Sequence, residues 1–470
     1  MSKHIVIIGG GPAGYVAASH AAAEGARVTL IDPHSLGGTC LHRGCIPTKT
    51  LVESCSLLYK MRHADSYGLQ LTGEVKANWT AMQERASYVI GLLNRGINGL
   101  MADRKVEHVQ GVGRVIDGRS VEVDGHGVVK GDAVLICTGS VPMMPVSCMA
   151  SKDRVATSDD LLKWKSLPST LTIIGDGVVA CEFAFIMNEL GVKVTIVAMS
   201  ERPMQFIDKD ISLIVLREMR RRGITFIDNC KVDGLVCDQS SVNVLSNGVL
   251  VDSAERALVA IGRAPNTSGL GLEKAGVATG ARGEIVVDEM MRTNLDGLYA
   301  AGDVNGRLAL AHAASAQARL AVGHMLGRDP APLDDTTIPW AVFTMPEIGS
   351  VGLSEEKAVE FGHIVSVGKF DMRGLGKAQA MNELSGMVKV VIDRATGRLL
   401  GAHVIGAHAS DMVHEAAVLI QQGATVHEIV HTVHAHPTLS EAMLEAAEDA
   451  LGQAVHKPLK HKASHEHALP

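Results

Sequence analysis

Two cysteines, Cys40 and Cys45, stand in the stretch GGTCLHRGCIPTK (37–49) with four residues between them. Thiols this close can bind a metal, open and close as a disulfide against a dithiol, or fill apolar space. A structural zinc site wants four ligands, usually as two close pairs. The other six cysteines, Cys55, Cys137, Cys148, Cys181, Cys230 and Cys237, are dispersed and read as small apolar residues. A metal is therefore disfavoured, and the redox and packing readings stay open. Thiol exchange runs through a thiolate and needs a base. HAHPTLSE (434–441) offers His436 with Glu441 behind it. A carboxylate bonded to an imidazole fixes its tautomer and raises its basicity. His431 and His434 read as structural. Arg43 lies between the two thiols, where a cation would lower a cysteine pKa. A solvated arginine is an equally good reading.

The elements around these residues follow from apolar periodicity. HIVIIGG (4–10) is a continuous apolar run that predicts a buried parallel strand. A helix over 11–25 and a strand over 26–32 complete a βαβ unit. Residues 171–199 repeat the order of strand, glycine turn, helix and strand. In GGGPAG (9–14), Gly9, Gly11 and Gly14 form GxGxxG, which lets a pyrophosphate approach the backbone at a helix N-terminus. Asp32 ends the second strand, where an acid can accept ribose hydroxyls. The second copy is GDGVVA (175–180), with Gly175, Gly177 and Ala180 on the motif positions. Its strand-end acid is missing: Ala198, Met199 and Ser200 stand there. The choice of NAD over NADP is thus poorly specified. Arg202 could reach a 2′-phosphate, although a solvated arginine is the better reading.

Residues 50–105 predict helices and 106–140 short strands. A strand-like stretch follows over 284–304 and a helix over 308–327. PAPLDD (330–335) reads as a linker to a separate α+β domain with a strand at 387–393 and a helix at 408–423. The His-rich end, 456–470, reads as a solvated tail. The chain has 470 residues, enough for two to four domains. Its formal net charge of −7 and lack of a basic region argue against nucleic acid. No apolar run is long enough for a membrane span, and the first residues lack signal-peptide features. The expectation is a cytoplasmic protein.

GGGPAG, GGTCLHRGCIPTK, TGS (138–140), GDGVVACE, AIGRAPN (260–266), YAAGD (299–303), LAHAA (310–314) and HAHPTLSE occur in this order. Together they resemble the FAD-dependent pyridine nucleotide–disulfide oxidoreductases, and among them the dihydrolipoyl dehydrogenases. The resemblance spans residues 4–457. It implies an α/β fold with two Rossmann-like dinucleotide-binding domains, one for FAD and one for NAD, plus a C-terminal α+β dimerisation domain. The implied regions are FAD-binding 1–144, NAD-binding 145–264, central 265–334 and dimer interface 335–456, with a tail at 457–470. A homodimer is implied, with each active site built from both chains.

By the same resemblance, Cys40 and Cys45 form a redox disulfide. Cys40 exchanges with the substrate, Cys45 lies nearest the flavin, and His436 with Glu441 serves as base across the dimer. Gly38, Thr39, Lys49, Gly113, Thr138, Gly139, Ser140, Asp303 and Ala311 fall on FAD positions beside Gly9, Gly11, Gly14 and Asp32. Lys49 is expected to pair with Glu182. Gly175, Gly177, Ala180, Glu182, Gly262 and Arg263 fall on NAD positions. The implied reaction oxidises protein-bound dihydrolipoamide to lipoamide with NAD⁺. Its lipoyl substrate would come from a separate lipoyl domain or carrier of a 2-oxoacid dehydrogenase or glycine-cleavage type complex. Departures from the family pattern are Asp32 for a usual Glu, His42-Arg43 for a usual Asn-Val, and the absent acid at Ala198. These keep an NADPH-dependent glutathione-type reductase open. A non-catalytic flavoprotein subunit is the rival of another class. A mercuric reductase fits poorly, since the tail has no cysteine pair. A soluble transhydrogenase fits poorly too, since Cys40 is present.

Overall fold

The strand His4–Ile8 lies at the centre of a five-stranded parallel sheet and is almost fully buried. Its side chains alternate between two cores. Ile5 and Ile7 pack with Ala17, Ala18 and Ala21 of helix α1 (Pro12–Ala23), and with Ala314, Ala318 and Ala321 of the helix Ala311–Met325. Small alanine faces let two helices lie close over one sheet face. Val6 and Ile8 face the other way, toward Val115, Val121 and Val123 of a three-stranded antiparallel sheet. Burial on both faces explains the unbroken apolar run.

The computed structural model describes residues 2–148 and 153–457. The chain divides into two compact units, one of residues 1–205 and 216–335, the other of 206–215 and 336–470. The first unit holds both βαβ copies. Its second parallel sheet has five strands, with Thr170–Ile174 at the centre beside Lys193–Val197. Helix α3 (Cys45–Arg62) and the long helix α4 (Trp79–Asp103) cover much of the span 50–105 expected to be helical, and helix α2 (Gly38–Arg43) precedes it. The strand-like stretch 284–304 is largely irregular: only Leu298–Ala300 joins a sheet, and Ile285 makes an isolated bridge to Thr279. Its apolar residues pack as loop into the core under the antiparallel sheet instead.

The second unit is built on a five-stranded antiparallel sheet that includes Met387–Asp393, with the helices Ala409–Gln421 and Glu441–Ala450 against it. Residues 206–215, inside the span expected for NAD binding, group with this unit. Lys389 is one residue that ties them to it. It is fully buried on the sheet, and its ammonium lies 2.8 Å from Asp208, 2.6 Å from Asp210 and 2.7 Å from Glu355. The sequence marks such a lysine as a surface residue. The His-rich tail from 458 onward lies outside the described residues.

Removing one partner of a buried charge cluster leaves the others uncompensated. Lys389→Met is expected to destabilise the second unit by about 3 kcal/mol. Calorimetric unfolding checks this. A transition at the wild-type temperature would show the cluster contributes nothing to stability.

Candidate active site

Gly44 breaks the chain between α2 and α3, so the two cysteines sit on different helices. Cys40 lies within α2, and Cys45 is the first residue of α3. No side chain caps α3. Its first N–H groups and the helix dipole therefore favour negative charge on Cys45. The sequence carried a signal for this start: Pro47 in the first turn is compatible with a helix N-terminus.

The Cys40 thiol donates a hydrogen bond to Cys45. That bond lowers Cys45 to about 7, against the opposing pull of burial and with help from the charge of Lys49. The same bond, then burial, pushes Cys40 up. Of the two thiols, Cys45 is the readier to ionise. Lys49 follows one turn after Cys45 on α3. Its ammonium donates to both oxygens of Glu182, at 3.0 and 2.9 Å. Glu182 is buried on the helix Val178–Glu189 of the second βαβ copy. Arg43 does not serve the thiols: its guanidinium lies 3.7 Å from Asp159, and the cation acting on Cys45 is Lys49. His42 is spent on the backbone, with Nε2 2.9 Å from the Leu36 carbonyl.

The first glycine loop is shaped for a phosphate. Gly11 caps α1, Pro12 opens it, and the first turn holds no acid. A side chain at Gly11 would meet only the Cα of Gly38, 3.8 Å away, so space is open over the helix end. Gly14 has no such room: its Cβ would fall 1.7 Å from the carbonyl oxygen of Gly9. Asp32 is buried and accepts from the amides of Gly10 at 2.5 Å and His34 at 2.7 Å. Thr39 follows Gly38 at the start of α2, and Gly113 is buried on the strand Gly113–Asp117. Thr138 donates to the Asn266 carbonyl at 2.8 Å, and Gly139 accepts from the Asn266 amide at 2.9 Å. Ser140 donates to Asp303 at 2.5 Å. Ala311 opens the helix Ala311–Met325. These residues fit a bound dinucleotide: an open helix end for phosphate and a buried acid beside it.

At the second loop, Gly177 caps the helix Val178–Glu189, and no atom lies within 4 Å of where its Cβ would be. Ala180 is fully buried. Gly262 has φ of +137° and accepts from the Met143 amide at 3.0 Å. Arg263, expected among the NAD contacts, is bonded to Ser140: Nε to the hydroxyl at 2.8 Å and Nη2 to the carbonyl at 2.7 Å. Arg202 is buried and donates to the Gln205 carbonyl at 3.0 Å, so it is not a solvated side chain.

In the second unit, Nδ1 of His436 is 2.9 Å from Glu441, the first residue of its helix. The Thr438 amide donates to the other Glu441 oxygen at 2.8 Å. Burial raises the Glu441 carboxyl, but the Thr438 amide and His436 more than offset it, so the group ends below its ordinary value. The imidazole is largely exposed, leaving Nε2 open to chemistry. His434 is spent on Glu415 and the Thr432 carbonyl. Cys55, Cys137 and Cys181 are buried, and burial raises each thiol. Among the described residues no group of three or more His, Cys, Asp or Glu could hold a metal, and no helix is long and apolar enough to cross a membrane.

Residues 3–318 match the profile of the pyridine nucleotide–disulphide oxidoreductases, and 338–447 match the dimerisation domain of that family. The chain belongs to this family. A relative from Bacillus subtilis (strain 168), named dihydrolipoyl dehydrogenase, is 39% identical over 96% of this chain and 98% of its own. A protein of the same name from Chlamydia muridarum is 37% identical over the same shares. Among solved structures, LpdA from Mycobacterium tuberculosis aligns with a TM-score of 0.90 at 31% identity, over 95% of this chain and 99% of that one. The HOCl-induced flavoprotein disulfide reductase RclA from Escherichia coli aligns at 0.86 and 29%, over 95% and 99%. As an oxidoreductase of this family, the chain binds FAD and NAD(H), and its dimerisation domain makes it a homodimer.

Removing the hydrogen-bond donor should cost Cys45 its acidity. Cys40→Ala is expected to raise the Cys45 pKa from about 7 toward the ordinary thiol range, and Lys49→Met to raise it by less. The pH dependence of alkylation of the reduced protein reads both. An unmoved Cys45 in Cys40→Ala would show that the helix end alone sets it.

Proposed function

We propose that this chain is a dihydrolipoyl dehydrogenase, oxidising dihydrolipoamide carried by a lipoyl domain or lipoyl carrier protein, with NAD⁺ as acceptor. The observation that carries the reading is the hydrogen-bonded Cys40–Cys45 pair beside Lys49. Within the chain we assign 1–144 to FAD binding, 145–264 to NAD binding, 265–334 to completing the FAD site and 335–456 to the dimer interface. We place the protein in the cytoplasm, where reducing conditions keep the dispersed cysteines as thiols.

The unequal acidity of the two thiols supplies a direction. In the oxidised protein a substrate thiolate attacks one sulfur of the disulfide, and the better leaving group is the more acidic thiol. That is Cys45, so the attack falls on Cys40. A mixed disulfide forms on Cys40 as the Cys40–Cys45 bond breaks. The second substrate thiolate then attacks the substrate sulfur of that bond, closing lipoamide and releasing Cys40. His436 of the partner subunit takes the substrate protons, and Glu441 holds its ring. Lys49 adds to the stabilisation of the Cys45 thiolate and is itself held by Glu182. Bound FAD supplies the two-electron relay from the dithiol to NAD⁺. Across the cycle two S–H groups lose two protons and an electron pair. NAD⁺ gains a hydride, and one proton goes to water.

An inward-bonded Arg202 gives little support to an NADPH-dependent reductase, and intact thiols give little to a non-catalytic subunit. Steady-state rates with dihydrolipoamide and either NAD⁺ or NADP⁺ separate all three. Cys45→Ser is expected to abolish lipoamide turnover with FAD retained. Persistent turnover would refute the disulfide role. His436→Gln should lower kcat by roughly 10²- to 10⁴-fold, the span for loss of a general base.

A further inference from the structure

The two βαβ copies are related by a constant shift of 166 in residue number: strands 4–8 and 27–31 fall on 170–174 and 193–197. Gly10 then corresponds to Asp176, Asp32 to Ala198, and His34 to Ser200. In the first copy the Asp32 carboxylate spans the gap between the loop and the residues beyond the strand, accepting from the amides of Gly10 and His34. In the second copy Ala198 offers only a buried methyl group. Yet a carboxylate spans the same gap. It belongs to Asp176, whose Oδ2 accepts from the Ser200 amide at 3.1 Å. The acid has moved from the strand end to the glycine loop and bonds to the equivalent amide from the opposite side.

We infer that Asp176 is the residue that selects NAD(H) over NADP(H), receiving the ribose hydroxyls that a strand-end acid would otherwise take. The inference deepens the function proposed above and rests on its assignment of the second copy to the nicotinamide cofactor. Its backbone is pinned: the Asp176 carbonyl accepts from the Met204 amide at 2.8 Å and from the Cys181 thiol at 3.5 Å. A carboxylate takes a charge-assisted hydrogen bond from a ribose hydroxyl and repels a 2′-phosphate. The loop beyond the strand supplies no compensating cation from its surface. Arg202 is buried and bonded to Gln205, and Glu201 is exposed and acidic.

The test is calorimetric titration of the oxidised, FAD-loaded dimer with NAD⁺ and with NADP⁺. Wild type is expected to bind NAD⁺ more tightly. Asp176→Asn keeps an oxygen for the Ser200 amide and drops the charge. It should shrink the ratio of the NADP⁺ to the NAD⁺ Kd by about tenfold or more, the scale of one charged hydrogen bond. Asp176→Gly, which restores the residue of the first loop, should shrink it at least as far. Glu201→Gln should leave it within about twofold of wild type, as a surface charge would. An unchanged ratio in Asp176→Asn overturns the inference, as does a wild type that prefers NADP⁺. The titration needs no dithiol. A protein inert toward dihydrolipoamide but with the expected shift would therefore sink the substrate assignment and leave Asp176 standing.

Discussion

One hydrogen bond between two thiols organises the chemistry of this protein. That bond pushes the Cys40 thiol up and the Cys45 thiol down, and the charge of Lys49, one turn beyond Cys45, adds to the fall. Two chemically identical side chains come to differ in acidity through their positions. The break at Gly44 is what makes them unequal: a continuous helix through both would give neither sulfur a free helix end.

The Lys49–Glu182 ion pair ties this asymmetry to the rest of the first unit. Lys49 comes from the helix that carries Cys45, and Glu182 from the helix that follows the second glycine loop. A buried carboxylate is costly unless paired, so each residue secures the other. The element nearest one nucleotide loop thereby holds the cation beside the thiols of the other. Ser140 plays a similar part, joining Asp303 to Arg263 and knitting residues far apart in the chain.

The two βαβ copies show how one local design can solve the same electrostatic problem twice. Each needs an open helix end for phosphate and an acid near it. The first places the acid at Asp32, just past the strand end, and the second at Asp176, in the loop. Either position brings a carboxylate to the amide just beyond the second strand, His34 in one copy and Ser200 in the other, and the strands keep the same spacing and register.

Periodicity and glycine spacing in the sequence determined the two parallel sheets, their helices and the order of the motifs. These depend on local propensity and on which residues shun water. The close cysteine pair and the His436–Glu441 pair were also legible, being near neighbours in the chain. Tertiary structure decided what rests on distance through space. It sent Arg43 to Asp159 and left Lys49 with the thiols, turned Arg263 to Ser140, drew Arg202 inward, and buried Lys389 among three carboxylates. A charged side chain commits to whichever partner the fold brings within about 4 Å, and that choice is written in no single stretch of sequence.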